Sequence, residues 1–176
     1  MSDSPGRYLV TGCSGAGKST LIEELAARGC QVIREPGRRL IARGITPTDD
    51  IAVFLKHAAM LAREDLAEVS GATAPVVFDR GLLDAVAGIE RLNGTPVERQ
   101  LGDARPYERT VFFAECWPEI YRNDEGRLHA LDAAKVEADH LQSLLPRLGY
   151  ELAILPQVSV GERADFVLET IAQLSR

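Results

Sequence analysis

The sequence predicts an α/β protein, a three-layer α/β/α sandwich on a five-stranded parallel sheet. Three observations predict it. Short apolar runs alternate with longer stretches of helically spaced apolar residues along the whole chain. One run, Pro75-Val76-Val77-Phe78, is continuously apolar, as a strand buried on both faces must be. A glycine-rich turn, Gly12 to Ser19, joins the first strand to the first helix. Repeated β-then-α units pair in parallel with helices on both faces, and right-handed crossovers bring every strand's carboxyl end to one edge.

Taken in order, residues 7–11 form the first strand and the helix after the glycine-rich turn runs to Arg28, with Gly29 as its C-cap. Cys30 to Arg34 is the second strand, and Pro36 opens a short helix through Arg43. Apolar residues at 51, 54, 55, 58, 62, 66 and 69 mark a long amphipathic helix over 48–69, with Asp49 and Asp50 in its first turn and Gly71 ending it. Residues 75–78 are the third strand, 82–92 a helix and 110–114 the fourth strand. The polar segment 117–128 reads as a loop, 130–147 as helix and 151–155 as the fifth strand. Ser159-Val160-Gly161-Glu162 is a capping box opening the last helix. With 176 residues, no repeats and no long linker, 1–176 is expected to be a single domain.

The turn carries chemistry. Gly12-Cys13-Ser14-Gly15-Ala16-Gly17-Lys18-Ser19 matches G-x-x-x-x-G-K-[ST], with a strand before it and Thr20 continuing into a helix. Glycines let consecutive amides converge on phosphate oxygens, and the helix dipole favours the same anion. Lys18 is placed to reach the β- and γ-phosphates, and the Ser19 hydroxyl to bind Mg²⁺. A dinucleotide loop would need glycine at position 14, where serine stands. The expected ligand is a nucleoside triphosphate.

Other strand ends decide the reaction class. Asp79 follows the third strand, where a Mg²⁺-holding carboxylate belongs; the alternative is a cap for the next helix. Arg80 stands where hydrolytic motors usually carry glutamate, which argues against efficient ATP hydrolysis. It would steady a transferring phosphoryl group or form an ordinary salt bridge. Glu35 closes the second strand, suited to meet an acceptor hydroxyl or to complement the positive end of the helix at Pro36. Arg122 and Arg127 lie in 117–128, a candidate lid over bound nucleotide or a solvated loop. Asp84 is a weaker substrate-side candidate, and His57, His129 and His140, without metal spacing, read as structural or surface residues. With no Asn-Lys-x-Asp sequence, adenine is the default base and ATP the expected cofactor, with Mg²⁺.

Composition sets limits. A net charge of −6 without a basic stripe speaks against polynucleotide partners. Arg34, Arg38, Arg39 and Arg43 cluster, which suits either a small phosphorylated ligand or a solvated helix face. Cys13, Cys30 and Cys116 fit no zinc spacing and no disulfide framework, so a cytoplasmic location is expected and Cys13 serves as a small loop side chain. No apolar run is long enough to span a membrane, and the N-terminus lacks an apolar signal core. The oligomeric state is not legible.

These residues together resemble a family of small bacterial P-loop predicted ATPases of the AAA type, related to nicotinamide riboside kinase-like and nucleoside kinase-like domains. The resemblance spans nearly the whole chain. It rests on Thr11–Thr20, Arg34-Glu35-Pro36-Gly37-Arg38 and Phe78-Asp79-Arg80-Gly81 with Asp84. It continues in Ile120–Arg127, Gly149-Tyr150-Glu151, Leu155-Pro156 and Ser159–Arg163. It implies a kinase-like P-loop NTPase fold and ATP and Mg²⁺ binding through Lys18, Ser19 and Asp79. It further implies a catalytic carboxylate at Glu35-Pro36 and an acid-arginine pair at Asp79-Arg80. Leu128 departs from the pattern, because a second arginine is expected beside Arg127. The expected activity is transfer of the ATP γ-phosphoryl group to a small hydroxyl-bearing metabolite; the alternative is a slow ATPase or a nucleotide-dependent switch acting on a protein partner.

Overall fold

The structure, a computed structural model, describes residues 6–120 and 125–175, with backbone alone for 125–130. Five strands form one parallel sheet: β1 (Arg7–Gly12), β2 (Gln31–Ile33), β3 (Val76–Asp79), β4 (Thr110–Ala114) and β5 (Glu151–Ile154). Their order is β2-β3-β1-β4-β5. Helices α1 (Lys18–Ala27) and α7 (Val160–Leu174) pack on each other. Helices α2 (Pro36–Ala42), α3 (Ile51–Glu68), α4 (Leu82–Asn93), α5 (Val97–Leu101) and α6 (Glu125–Arg147) form the second group: α2 lies on α3, α3 on α4, and α4 on α5 and α6. The three-layer parallel fold read from the sequence is the fold observed.

The central strands explain why. β1, β3 and β4 are flanked by neighbours on both edges and covered on both faces, so Leu9, Val10, Val76, Val77, Phe78, Phe112 and Phe113 are almost wholly removed from water. Ridges of α1 (Leu21, Ile22, Leu25) and α6 (Leu141, Leu144, Leu145) complete the core. Register then does the work of site building. Val10 pairs with Asp79 and Gly12 with Ala114, so the carboxyl ends of β1, β3 and β4 stand side by side.

Four boundaries differ from expectation. Asp50 is the N-cap of α3 and not part of its first turn: its carboxylate accepts from the amides of Ala52 (2.9 Å) and Val53 (3.1 Å). Helix α5 was not predicted; its one turn and a half is too short to show a period. β2 spans only three residues, at the sheet's edge. Within 117–128, Pro118–Ile120 is a single 3-10 turn and helix α6 already begins at Glu125, so 125–128 is helix and not loop. The Ser159 capping box forms as expected, Ser159 N–H donating to Glu162 at 3.1 Å and Glu162 N–H to Ser159 Oγ at 3.3 Å.

Candidate active site at the carboxyl edge of the sheet

The loop between β1 and α1 has the backbone that its glycines permit. Gly12, Gly15 and Gly17 all take positive φ. At Gly12 (φ 116°) a side chain is also excluded by the Ala114 carbonyl, against which β1 is pressed. Lys18 is buried, and its ammonium donates to the carbonyls of Cys13 (2.5 Å) and Gly12 (3.2 Å) from inside the loop. Burial, reinforced by the nearby Arg80 charge, pulls its pKa down to about 7, while Asp84, Asp79 and Glu35 oppose the shift. Behind the loop, the Arg163 guanidinium donates to Ala16 O at 3.2 Å and Gly17 O at 3.5 Å and lies 5.8 Å over the Trp117 ring. Ser14 is exposed toward a cavity, Ala16 is buried, and Thr20 continues α1.

Cys13 overturns one expectation. It is disulfide-bonded to Cys116, 103 residues away, and only Cys30 is a free thiol. The pairing was invisible in sequence because β4 brings position 116 beside the loop: the Cys13 amide donates to Ala114 O at 2.8 Å. An odd cysteine count does not exclude one bridge.

Ser19 and Asp79 meet as the motif requires, Ser19 Oγ donating to Asp79 Oδ2 at 3.2 Å. The second carboxylate oxygen, Asp79 Oδ1, is buried with no hydrogen-bond partner. An orphaned carboxylate oxygen beside a hydroxyl fits a hard divalent cation. Burial and the Glu35 charge raise the Asp79 pKa against the pull of Lys18, Ser19 and Arg80, and a cation there would favour the ionised form. Among the described residues no group of three or more His, Cys, Asp or Glu could hold a metal by itself. Phosphate oxygens would have to complete the shell, as is usual for Mg²⁺.

Arg80 is the hub of the site. Among the described residues it alone, glycines apart, has positive φ (53°). Two bonds hold this conformation: its amide donates to Val10 O at 2.9 Å and its guanidinium to Gly12 O at 3.1 Å. Carboxylates from three elements converge on the same side chain: Glu137 at 2.7 Å, Asp84 at 3.1 Å and Glu35 at 3.9 Å. Burial opposes the charge, but the carboxylates outweigh it and hold the guanidinium ionised. Asp84 is about nine-tenths buried, accepts from Thr11 Oγ1 and the Gly81 amide, and has its pKa raised by burial despite Arg80 and Thr11. Tyr107 Oη accepts from the Leu82 amide at 2.8 Å and lies so close to Gly81 that no side chain fits there.

Glu35 stands at the end of β2 as the N-cap residue of α2 but makes no side-chain cap. One oxygen faces Arg80 and the other accepts from Arg38 at 3.1 Å. It opens onto a cavity of about 480 Å³ that begins at Ser14, Arg80 and Asp84 and runs between α3, α4 and α6. This is the size of a small-molecule site.

Lys18, Ser19, Glu35, Asp79, Arg80 and Asp84 are thus brought together. Arg122 lies outside the described residues, and Arg127 is placed only as backbone in the first turn of α6. Three of the four clustered arginines have carboxylate partners: Arg34 pairs with Glu23, Arg38 with Glu35 and Arg39 with the buried Asp65. Sequence reasoning missed Glu137, Tyr107 and Arg163. Glu137 carries no local motif. Tyr107 lies in a segment with no predicted element. Arg163 was visible only as part of the stretch after the capping box.

A sequence family described as an AAA domain matches residues 7–163. Curated proteins gave no match. Solved structures of deoxyadenosine kinase from M. mycoides superpose on nearly the whole chain. The form with bound dATP gives a TM-score of 0.68 at 12% identity, covering 95% of this chain and 99% of that one. The form with products dCMP and a flexible dCDP gives 0.66, with the same identity and coverage. At that identity the likeness concerns the fold. The family match and the loop geometry make the chain a member of the AAA domain family, built on the P-loop NTPase fold that nucleoside kinases share.

Proposed function

We propose that the protein is a cytoplasmic, ATP- and Mg²⁺-dependent phosphotransferase that phosphorylates a small hydroxyl-bearing metabolite. One observation carries this reading: the cavity bordered by Glu35 and Arg80 adjoins the phosphate loop at Ser14, giving an acceptor a place next to a bound γ-phosphate. An ATPase or a switch has no need of such a chamber. Membership in a P-loop family and a fold shared with a nucleoside kinase support it. The missing guanine-reading sequence supports adenine. A net charge of −6 argues against nucleic-acid partners, and no described helix is long and apolar enough to cross a membrane. Cytosolic disulfides are usually transient redox elements, a role open to Cys13–Cys116.

In this reading the loop amides and Lys18 bind the phosphates, and Ser19 and Asp79 would hold Mg²⁺, which supplies charge neutralisation at the β- and γ-oxygens. Glu35 orients the acceptor hydroxyl and takes its proton as the oxygen bonds to the γ-phosphorus and the bond to the leaving ADP oxygen breaks. Arg80 fixes Glu35 and, with Arg122 and Arg127 from the 117–128 segment, offsets developing charge.

The test is ADP release from Mg-ATP in the presence of a metabolite panel. An accepted metabolite stimulates release, and Glu35→Gln lowers that stimulation by about 10²- to 10⁴-fold. Turnover indifferent to every metabolite and to Glu35→Gln would make the protein a slow ATPase or a switch.

A further inference from the structure

Arg163 stands where elementary electrostatics would not put a cation. It closes the first turn of α7, its amide donating to Ser159 O at 3.0 Å, and its guanidinium is pressed against Gly17, the N-cap of α1. Both helix ends carry the positive pole of a dipole, and both disfavour a further positive charge. The side chain is buried as well, which pulls its pKa down, and its Nε has no hydrogen-bond partner. Among the described residues no carboxylate pairs with it. What it has instead is two main-chain carbonyls, Ala16 O at 3.2 Å and Gly17 O at 3.5 Å, and the face of Trp117. Those carbonyls belong to the peptide units that carry the N–H groups of Gly17 and Lys18, at the helix end of the phosphate loop. A charged donor on a carbonyl polarises its peptide and strengthens the N–H on the other side as a donor. It also fixes the plane of the peptide, and so the direction of that N–H. Gly17, with φ 71° and no side chain, leaves the direction otherwise loosely restrained.

Resting on the reading that this loop binds a nucleoside triphosphate, we propose that Arg163 is a positioning residue for the phosphates. It acts from behind the loop, orienting the Gly17 and Lys18 amides and strengthening them as donors, without touching the nucleotide. In the empty loop its charge adds to the positive potential at the start of α1; a polyphosphate turns that same potential into attraction. The residue thus lowers the stability of the unliganded fold and raises affinity, the local misfit that folds carry at functional sites. A plain staple between α1 and α7 is already supplied elsewhere. Arg28, at the other end of α1, donates to Gly161 O at 3.1 Å and pairs with Asp165 at 2.5 Å.

The experiment measures Mg-ATP affinity by calorimetry and unliganded stability by urea unfolding, in wild type, Arg163→Met and Arg163→Lys. Methionine keeps an apolar stem without the charge; lysine keeps the charge but has no fork to span two carbonyls. Arg163→Met should raise the Kd for Mg-ATP about 10-fold or more. Its unliganded urea midpoint should stay unchanged or rise, because an apolar group in place of a buried charge is often neutral or stabilising. Arg163→Lys should fall between the two, with a Kd about 3-fold above wild type at an unchanged midpoint, and decides the question if the methionine variant fails to fold. Magnesium tripolyphosphate, which offers the phosphates without the nucleoside, should lose affinity by the same factors. Equal affinity in wild type and the variants overturns the role given to Arg163. So does an affinity loss matched by a fall in the unliganded midpoint, which would make it a structural staple. A loss seen with ATP and absent with tripolyphosphate would place Arg163 against the nucleoside and overturn the role as well. Wild type that takes up no Mg-ATP removes the nucleotide reading itself, a result distinct from all of these.

Discussion

Two side chains at the site hold charges that burial opposes, and each gives a prediction. Lys18 lies inside its loop, satisfied by two carbonyls and desolvated; a polyphosphate would replace those carbonyls with full negative charge. Lys18→Ala should weaken ATP binding about 10- to 150-fold, read by titration with a fluorescent ATP analogue, because charged hydrogen bonds contribute roughly 1.5–3 kcal/mol each. Unchanged affinity would displace the ligand from this loop. Asp84 is the second case. Its folded pKa is raised, so the folded state holds a proton more tightly than the unfolded chain does. The associated stability is fully present below the unfolded pKa, about 3.9, and is lost as pH rises through the folded value. Asparagine mimics the protonated form and carries no such dependence. The pairing with Arg80 favours the ionised carboxylate and is already counted in this folded pKa, whose net displacement is upward. The stability of the Asp84→Asn variant relative to wild type should therefore rise in urea titrations as pH is raised above about 4. A flat difference would mean that the Arg80 pair, not burial, sets the Asp84 carboxyl.

At the scale of elements, legibility followed local signals. The phosphate loop, the capping box of α7 and the strand-end position of Asp79 were readable because each is fixed by neighbours in the chain. The Arg80 hub was half readable: Asp84 lies four residues away, whereas Glu137 comes from α6 and only tertiary packing brings it to 2.7 Å. The start of α6 was hidden by composition, since Asn123-Asp124-Glu125-Gly126 favours a turn in isolation. Glutamate at 125 and aspartate or asparagine just before it suit a helix start equally well, so the residues alone did not decide. The start of α3 was misplaced for a related reason: two consecutive aspartates left the cap ambiguous. The structure gives the role to Asp50, with two amides on one carboxylate oxygen. Asp50→Ala should then cost about 1 kcal/mol in urea unfolding, within the range of 0.5–2 for such caps. Asp49→Ala, whose carboxylate accepts only from Thr46 Oγ1, should cost less. Equal costs would contradict the assignment.

Across the whole molecule, the least legible feature is also the longest-range one. The Cys13–Cys116 bridge closes a loop that contains β2, β3, β4 and helices α1 to α5, with both ends at the ligand-bearing edge of the sheet. Nothing in the spacing of three cysteines announces it; the parallel pairing of β1 with β4 creates it by setting Gly12 opposite Ala114. A cross-link between residues 103 apart removes a large share of the unfolded chain's freedom. In the chain-entropy treatment a loop of this length contributes about 4.7 kcal/mol, a ceiling wherever the unfolded state keeps residual structure. Folding with the bridge intact should thus survive to a urea concentration higher by about 2 M than folding under dithiothreitol, taking a slope of about 2 kcal/mol/M. The same two samples, denatured and treated with a thiol reagent, should show one reactive cysteine, Cys30, without reductant and three with it. Cys116→Ser provides the control that separates the bridge from other effects of reductant: its unfolding midpoint should match the reduced protein and ignore dithiothreitol. If the untreated protein shows three thiols, the two loops meet without bonding. If one thiol is found but the midpoint does not move, the unfolded chain is already held compact, and the bridge acts on the phosphate loop alone.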